Sequence, residues 1–502
     1  MNLPTATVFS QRTSGVLLHV TSLPGAHGCG DLGVHAYHFV DWLVAAGQSL
    51  WQTLPLCPVG SGNSPYNSPC TFAGNPLLVD LDDLVRCGWL SAPPDAAFAP
   101  GQADFATVAP YRMACLREAW MGFLKTVHPD EQAEFERFRG AQASWLAGYA
   151  LFMALEARHG MPWTRWPTAL AQRNAVALAE ADQHMADDLA FFSFVQWRFM
   201  VQWQRLRAYA HERGVLIVGD APIFVAHHSA DVWLNANLFL LDAAGEPTVV
   251  AGVPPDYFSS TGQRWGNPLY RWDRMAEDGY AWWRARLVHL LTLVDGIRLD
   301  HFRGFESYWE IPSNEPTAVA GAWREGPGQA LFDALAVACG GALPIIAEDL
   351  GLITPAVTAL RQACGFPGMR VMQFAFGDTA TNPYLPHNFE PQSVAYTGTH
   401  DNDTTVGWWQ TVGAGERLAA RAYLGPLADT EIHWAMIQAL SQSVAKTVIF
   451  PMQDVLGLDG THRMNTPGVG QGCWQWRFDW QKVRPEHARR LAELTHAHGR
   501  NI

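Results

Sequence analysis

The chain has 502 residues, of which 48% are hydrophobic and 16% are charged, and its formal net charge is −13. This composition is typical of a large folded protein and argues against disorder. The negative charge argues against nucleic acid or an anionic membrane surface as a partner, and it suits a neutral ligand. A chain of this length could hold two or three average domains, but one barrel with insertions fits equally well.

The amino-terminal segment and the cysteines bear on location. Residues 1–10 have neither the basic start nor the apolar run of a signal peptide. No segment approaches the roughly 20 apolar residues that span a membrane. The eight cysteines are scattered and include no Cys-x-x-Cys pair, which favours free thiols over disulfides or a zinc site. We therefore expect a cytoplasmic protein.

Eight short apolar runs predict buried strands, and helical stretches separate most of them. The runs lie at residues 15–20, 49–56, 214–220, 293–300, 342–348, 369–374, 393–401 and 447–452. Strands that alternate with helices form parallel sheets, and eight of them predict an α/β fold of the (β/α)8 TIM barrel type.

Large, mainly helical insertions interrupt this alternation. Residues 80–213 are mostly helical in pattern, with helical stripes over 135–159 and 186–213 and a connector rich in Pro and Ala at 92–110. We interpret residues 58–213 as an inserted helical subdomain, and residues 1–57 with 214–502 as the catalytic barrel. Residues 229–290, rich in Gly, Pro and aromatic residues, form a second insertion that we expect to carry an active-site loop.

Four of the predicted strands end in an acidic residue, namely Asp220, Asp300, Glu348 and Asp401. A single aspartate at such a position is usually a helix cap or a turn residue. Chemistry in this kind of barrel lies at the carboxyl ends of the strands, so four acids at one mouth predict a carboxylate-driven site. Arg298 shares a strand face with Asp300 and would keep it ionised, although a structural ion pair is the alternative.

Two kinds of chemistry suit such a ring of acids: metal-assisted chemistry and glycosyl transfer. The metal candidates are residues 400–403 and 227–228, and neither has the spacing of a metal motif, so we expect no metal. Glycosyl transfer needs a nucleophilic carboxylate and a carboxylic acid, about 5–5.5 Å apart in a retaining enzyme. Asp300 and Glu348 end consecutive strands, and neighbouring strands lie about 4.8 Å apart.

These residues lead to a hypothesis with named roles. Asp300 attacks the anomeric carbon and forms a glycosyl ester, while Glu348 protonates the leaving oxygen and later takes a proton from the acceptor. Desolvation and the charge of Asp300 should raise the pKa of Glu348. Asp401 would bind ring hydroxyls in the distorted transition state, and His301 and His400 would donate hydrogen bonds to hydroxyls of the same ring.

Several motifs resemble those of a known family. Residues 295–304, 346–351 and 398–402 resemble the signatures of the α-amylase clan. More narrowly, the chain resembles the 4-α-glucanotransferases called amylomaltase or disproportionating enzyme, glycoside hydrolase family 77. This narrower resemblance rests on residues 64–68, 219–225, 252–268, 451–457 and 463–468, of which 252–268 is the most specific. The similarity spans roughly residues 15–480.

The resemblance implies an enzyme that moves a segment of an α-1,4-glucan to the 4-hydroxyl of an acceptor glucose or maltooligosaccharide. It implies no cofactor or metal, and the net charge of −13 argues against a nucleic acid or membrane partner. Asp300, Glu348 and Asp401 fall on the family's nucleophile, acid/base and transition-state stabiliser. The implied substrate-binding positions are Tyr66, Asp220, Asp256, Tyr257, Phe258, Gln263, Trp265, Arg298, His301, His400 and Asn465.

The chain departs from the family's motifs at one position. Cys473 stands where the family usually has asparagine in a Gly-Asn-Trp motif, and we expect this position to lie away from the chemistry.

Two other functions are alternatives to glucan transfer. Transfer requires that water be excluded, and Tyr66, Tyr257, Phe258 and Trp265 could line the groove or merely pack its loop. An amylase-type hydrolase of the same clan and a non-catalytic glucan-binding barrel are the other functions to be tested.

Overall fold

The computed structural model describes residues 8–94, 96–255, 259–426 and 428–500. It contains strands β1 (Thr13–Leu17), β2 (Leu50–Gln52), β3 (Leu216–Ala221), β4 (Val249–Val253), β5 (Gln263–Pro268), β6 (Gly296–Leu299), β7 (Ser307–Pro312), β8 (Ala322–Glu325), β9 (Ile345–Ala347), β10 (Gly368–Val371), β11 (Ser393–Tyr396) and β12 (Thr447–Pro451). Eight of them, β1, β2, β3, β6, β9, β10, β11 and β12, form a closed parallel barrel. All eight predicted strands and the barrel fold are therefore confirmed.

Helices surround the barrel and fill the long connections. Their bounds are α1 (Val34–Ala45), α2 (Leu81–Arg86), α3 (Phe105–Thr126), α4 (Pro129–Ala141), α5 (Leu146–His159), α6 (Thr168–Ala171), α7 (Ala175–His184), α8 (Ala186–Glu212), α9 (Ala230–Leu234), α10 (Trp272–Glu277), α11 (Ala281–Leu293), α12 (Gly328–Cys339), α13 (Pro355–Ala363), α14 (Thr405–Thr411), α15 (Ala414–Leu424), α16 (Ile432–Gln442), α17 (Met452–Leu456) and α18 (Pro485–Ala497). None of the helices in the described ranges combines the length and apolar character needed to cross a bilayer.

The barrel strands are buried along nearly their whole length. Every residue of β6, β11 and β12 is buried. Such strands face the barrel interior on one side and helices on the other, which is why their sequences are continuous apolar runs. Because the strands are parallel, their carboxyl ends open at one mouth and bring the residues that follow them together.

Two local predictions were wrong in their bounds. The helical stripe over 135–159 is two helices, because α4 ends at Ala141 and α5 begins at Leu146. Gly140 lies near the break and weakens a helix by about 1 kcal/mol relative to alanine. The connector predicted at 92–110 is shorter, because the Asp104 side chain accepts a hydrogen bond from the Ala106 N–H and starts α3 at Phe105.

A small antiparallel sheet of order β5-β4-β7-β8 was not predicted. Two of its strands come from the insertion at 229–290, and the other two follow β6. All four residues of β8 are exposed. In β5 a single aromatic residue, Trp265, stands among polar residues, a glycine and a proline. Neither strand therefore shows the apolar alternation that identifies a strand. Trp309 and Trp323 pack against each other across β7 and β8, with ring centroids 5.1 Å apart.

The hydrophobic core continues from the barrel into the helices of the long insertion. Phe123 packs against Trp89 and Trp197 at centroid distances of 5.0 and 5.6 Å. Helix α8 joins the two regions, since the indole N–H of Trp203 donates to the carbonyl of Leu293 at 2.9 Å. The division into a barrel and an inserted subdomain at 58–213 stays a prediction.

The guanidinium of Arg500 is fully buried at the end of α16. It donates to the backbone carbonyls of Leu440, Ser441, Ser443 and Ala445. The last carbonyls of a helix have no partner within the helix, and a cation there also favours the helix dipole. Burial lowers the pKa of Arg500 to about 9. This side chain therefore replaces the missing hydrogen bonds of the last turn.

We predict that Arg500→Met destabilises the protein by about 2–4 kcal/mol, because several buried carbonyls lose a hydrogen bond while the volume is nearly conserved. Arg12 still donates to the carbonyls of Ser441 and Ser443, whereas Ala445 loses the guanidinium donor. The free energy of unfolding in urea, followed by circular dichroism, measures the change. Arg489→Met is the matched control, since Arg489 is exposed on α18 and pairs with Glu493 at 2.8 Å, and it should leave stability unchanged. Equal stabilities of the two variants would contradict this role.

Candidate active site

Arg298 connects two carboxylates at the mouth of the barrel. Its Nη1 lies 2.7 Å from Oδ1 of Asp300 and 3.2 Å from each carboxylate oxygen of Asp220. Asp220 stands opposite Arg298 in the register between β3 and β6, and all three side chains are at least partly buried. Burial raises the pKa of Asp220, and the charge of Arg298 opposes that rise. The side chains predicted to share one strand face therefore do so.

Glu348 lies beside Asp300 and is held differently. It follows β9, the strand that pairs with β6. Its Oε2 accepts the N–H of His301 at 2.7 Å, and its Oε1 accepts the N–H of Leu350 at 2.9 Å. His301, the residue after Asp300, has a left-handed φ of 51°, a conformation that non-glycine residues seldom adopt. The two acids therefore occupy adjacent positions on the rim.

The environment of Glu348 changes its acidity. Burial raises the pKa of Glu348 to about 7; Arg298 opposes this rise and the negative charge of Asp300 adds to it. A carboxylic acid with such a pKa holds a proton in a large fraction of molecules near neutral pH, as a general acid requires. The rise matches the expectation from the sequence, and its larger cause is desolvation.

Asp401 follows β11 and is fixed by the loop after β12. Its Oδ1 accepts the Nδ2–H of Asn465 at 2.6 Å and lies 3.4 Å from Nε2 of His400. Arg463 donates to the Asp401 carbonyl at 2.6 Å, and the N–H of Asn465 donates to the His400 carbonyl at 3.0 Å. The Asp401 side chain is 43% exposed, so its second oxygen remains open toward the mouth.

Tyr66 reaches the same mouth from the loop after β2. Its hydroxyl donates to Oδ2 of Asp220 at 2.6 Å. Its ring stacks on His400 with a centroid distance of 5.0 Å and an interplanar angle of 15°. The phenol and the imidazole thus present a flat, partly apolar surface beside Asp401, of the kind on which a sugar ring can lie.

Trp474 is a site residue that the sequence did not single out. Its ring centroid lies 5.7 Å from that of Tyr66 and 5.8 Å from that of His400. The sequence feature that could have identified Trp474 is the motif at 472–474, of which only Cys473 was considered. Cys473 is buried, and its Sγ lies 3.4 Å from the backbone nitrogen of Thr466. The departure from the family pattern therefore lies in the loop that carries Trp474.

Gln263 and Trp265 border the site on the side of the small sheet. The Trp265 ring packs edge-on to His301 at a centroid distance of 4.8 Å, and its indole N–H donates to Oε1 of Gln263 at 3.1 Å. Trp265 is 40% exposed, which leaves part of the ring available to a ligand. The other predicted residues of this loop, Asp256, Tyr257 and Phe258, lie outside the described residues.

Asp454 is a second residue whose role the sequence did not reveal, although its motif at 451–457 contributed to the resemblance. It is 1% exposed on α17. Its Oδ2 accepts the hydroxyls of Thr397 at 2.5 Å and Thr405 at 2.8 Å, and its Oδ1 accepts the Thr405 N–H at 2.6 Å. Thr397 and Thr405 flank the segment that carries His400 and Asp401. Asp454 therefore fixes both ends of that segment.

The histidine pair at 227–228 makes hydrogen bonds to the backbone. His227 Nε2 lies 2.8 Å from the Gly245 carbonyl, and His228 Nδ1 accepts the N–H of Trp163 at 2.9 Å. Within the described ranges, no cluster of three or more His, Cys, Asp or Glu side chains is arranged to hold a metal ion. The described arrangement supplies an acid with a raised pKa beside a carboxylate that an arginine holds in place.

Comparison with known proteins identifies the family. A family model described as 4-alpha-glucanotransferase, of glycoside hydrolase family 77, matches residues 18–482. The chain belongs to this family. The 4-alpha-glucanotransferase of Thermus thermophilus is 48% identical over 494 residues, covering 97% of this chain and 98% of the relative. The 4-alpha-glucanotransferase of a Synechocystis species is 45% identical, covering 99% of each chain.

A solved structure agrees with this membership of the 4-alpha-glucanotransferase family. The amylomaltase from Streptococcus agalactiae, in complex with acarbose, is 37% identical and superposes with a TM-score of 0.95, covering 98% of this chain and all of that chain. The resemblance found in the motifs is thus confirmed, and so is the prediction of a glucan-transferring enzyme. The roles of individual residues stay predictions.

The raised pKa of Glu348 predicts how pH affects stability. Because its pKa is about 7 in the folded protein and 4.5 ordinarily, the folded state binds this proton more tightly than the unfolded state does. The associated stability is present below about pH 4.5 and is lost as pH rises through 7. Glu348→Gln cannot titrate, so its stability relative to wild type should rise by about 2–3 kcal/mol between pH 5 and pH 8.

Unfolding in urea at these pH values measures the difference between the two proteins. Glu180→Gln, at an exposed position on α7, is the control and should follow the wild-type curve. A difference between Glu348→Gln and wild type that does not change with pH would show that Glu348 titrates normally.

Proposed function

We propose that this chain moves a segment of an α-1,4-glucan to the 4-hydroxyl of an acceptor glucose or maltooligosaccharide by a retaining double displacement. The observation that carries this proposal is the pair of acids on adjacent strands, with Asp300 bound to Arg298 at 2.7 Å and Glu348 held by backbone N–H groups with a raised pKa. Membership of the 4-alpha-glucanotransferase family supports the activity, and the two contrasting environments support this route.

In the first step the Asp300 carboxylate attacks the anomeric carbon of the donor glucan. The bond from that carbon to the glycosidic oxygen breaks, and Glu348 gives its proton to the departing oxygen. A new ester bond joins the glucan segment to Asp300. Arg298 suits this step because a guanidinium stabilises the ionised form of the nucleophile and fixes its direction.

In the second step an acceptor sugar occupies the place of the departed glucan. Glu348, now a carboxylate, takes the proton from the acceptor 4-hydroxyl, whose oxygen attacks the anomeric carbon. The ester bond breaks and returns Asp300 to its ionised state. Two inversions at one carbon retain its configuration, so the product carries the same α-1,4 linkage as the donor.

The residues around this pair would hold the reacting sugar. Asp401 has one oxygen bound to Asn465 and a 43% exposed side chain, which suits a hydrogen bond to ring hydroxyls that strengthens in the transition state. His301 has a pKa lowered to about 4 by burial, so the ring is neutral and contributes hydrogen bonds without adding charge. The stacked rings of Tyr66 and His400 offer a face to the sugar.

Transfer in preference to hydrolysis requires that water be kept from the glycosyl ester while an acceptor binds. Tyr66 and Trp265 supply aromatic surface on two sides of the described mouth, and the buried ring of Trp474 packs against Tyr66. The related amylomaltase in complex with acarbose supports an oligosaccharide ligand. Maltooligosaccharides and α-1,4-glucans are the proposed donors, glucose or maltodextrins the proposed acceptors, and the cytoplasm the proposed location.

Incubation with maltotriose tests the reaction. Transfer should give glucose and longer chains while the total of reducing ends stays constant, because every bond broken is replaced by a bond formed. Asp300→Ala and Glu348→Gln should each lower turnover by several orders of magnitude with the fold intact by circular dichroism, whereas Glu180→Gln should not. Rising reducing ends would indicate a hydrolase, and near-normal turnover in either site variant would refute its role.

A fluoride donor separates the roles of the two acids. Fluoride leaves without a proton, so the first step on α-maltotriosyl fluoride needs the nucleophile and not the general acid. Glu348→Gln should therefore release fluoride in a burst of about one equivalent per enzyme and then slow, because the second step with maltose needs Glu348 as the base, while Asp300→Ala should give no burst. Release by Asp300→Ala at the wild-type rate would remove Asp300 from the mechanism.

A further inference from the structure

A cavity of about 290 Å³ lies between the first turns of α16 and α18 and the end of α17. Its volume is close to the lower limit of small-molecule sites, which span about 300–1,000 Å³. The lining residues that bear on its chemistry are Glu431, His433, Trp434, Arg484, His487 and Arg490. None of them belongs to the candidate active site.

Two helix N-termini meet at this cavity. Helix α16 begins at Ile432, directly after a 3-10 turn at Asp429–Glu431, and α18 begins at Pro485; both are longer than two turns. The residue that precedes α16, Glu431, makes no side-chain hydrogen bond to the first turn of the helix. The first N–H groups of a helix lack partners within it and carry partial positive charge, so such an end favours an anion.

His433 adds an unsatisfied polar group to the cavity wall. Its side chain lines the cavity, the residue is 7% exposed, and its buried Nδ1 has no hydrogen-bond partner. A buried polar atom without a partner is costly. Gly457 lines the cavity as well, and a Cβ at this glycine would come within 2.8 Å of the His433 ring. A side chain at this position would therefore clash with the ring.

Both ring nitrogens of His487 lie close to hydrogen-bond donors of Arg484. The Arg484 N–H lies 3.3 Å from its Nδ1, and the Arg484 guanidinium nitrogen Nη2 lies 3.2 Å from its Nε2. Burial lowers the pKa of His487, so the ring is neutral, and a neutral imidazole has only one acceptor nitrogen. One ring N–H therefore faces another donor. An acceptor oxygen from a ligand would relieve this conflict.

Of the four charged side chains on the wall, Arg490 and Glu431 pair with each other, which leaves Arg484 and Glu486 without a salt bridge in the described part of the chain. Arg490 bonds to Glu431 at 2.7 Å and lies over the Trp434 ring at 4.5 Å, so these charges offset each other. Glu486 also lines the cavity and is exposed in the first turn of α18. Arg484 has no carboxylate within salt-bridge distance in the described part of the chain. Its planar guanidinium matches the geometry of a tetrahedral oxyanion.

We propose that this cavity binds a phosphoryl group, presented as inorganic phosphate or as the phosphate ester of a sugar. Its oxygens accept hydrogen bonds from Arg484, His487 and His433, and the partial positive charge at the starts of α16 and α18 favours its negative charge. The remaining volume accommodates a sugar ring. This site is independent of the proposed route at Asp300 and Glu348.

Isothermal titration of the full chain, in a buffer without phosphate, tests the proposal with inorganic phosphate, glucose 1-phosphate and, as a neutral control, maltose. Both phosphates should bind saturably at a site that maltose does not compete for. Arg484→Gln should weaken phosphate binding by about 10–100-fold, the factor expected for one charge-assisted hydrogen bond. Arg489→Gln, at an exposed position of α18 that is bonded to Glu493 at 2.8 Å and lies outside the cavity lining, should leave the affinity unchanged.

A second variant, His433→Phe, should also weaken binding while the thermal midpoint confirms that the protein is folded. Tighter binding of glucose 1-phosphate than of inorganic phosphate supports the ester, and equal binding supports the free anion. Three results would overturn the proposal. Neither phosphate binds saturably, or Arg484→Gln and His433→Phe bind phosphate as tightly as wild type does, or maltose displaces bound phosphate.

Discussion

The buried guanidinium of Arg298 is the interaction on which the mouth of the barrel depends. It lies between Asp220 on β3 and Asp300 after β6, where an unpaired charge would cost several kcal/mol. The positive charge makes two nearby carboxylates tolerable at this depth. The same contact fixes the register of the two strands, because Asp220 and Arg298 are directly opposite in the sheet. The guanidinium of Arg298 therefore both stabilises the pairing of β3 and β6 and holds the predicted nucleophile.

Glu348 shows what happens to an acid that lacks such a partner. Its oxygens accept hydrogen bonds from two backbone N–H groups, and no arginine donates to them in the described part of the chain. The nearby charge of Arg298 lowers the pKa of Glu348 by less than burial raises it. Two acids on neighbouring strands thus differ in protonation because of what surrounds them, which is a common way to assign a nucleophile and a proton donor. The difference comes from which strand carries the arginine.

The features that were predictable from the sequence are those carried by local patterns. Buried barrel strands read as unbroken apolar runs, and the spacing of Arg298 and Asp300 placed both on one face. Contacts between distant segments have no such pattern. Trp474 meets Tyr66 across some 400 residues of chain, and Asp454 joins Thr397 and Thr405, which flank a segment about 50 residues away. Strand β8 was missed because all of its residues are exposed.

Helix α17 links these distant contacts to the rest of the molecule. Its Asp454 holds the segment of His400 and Asp401, and Leu456, two residues later, lines the cavity between α16 and α18. A helix of five residues has little stability of its own and depends on tertiary contacts at both ends. The position of Asp401 therefore depends on packing outside the barrel as well as on the strand that precedes it.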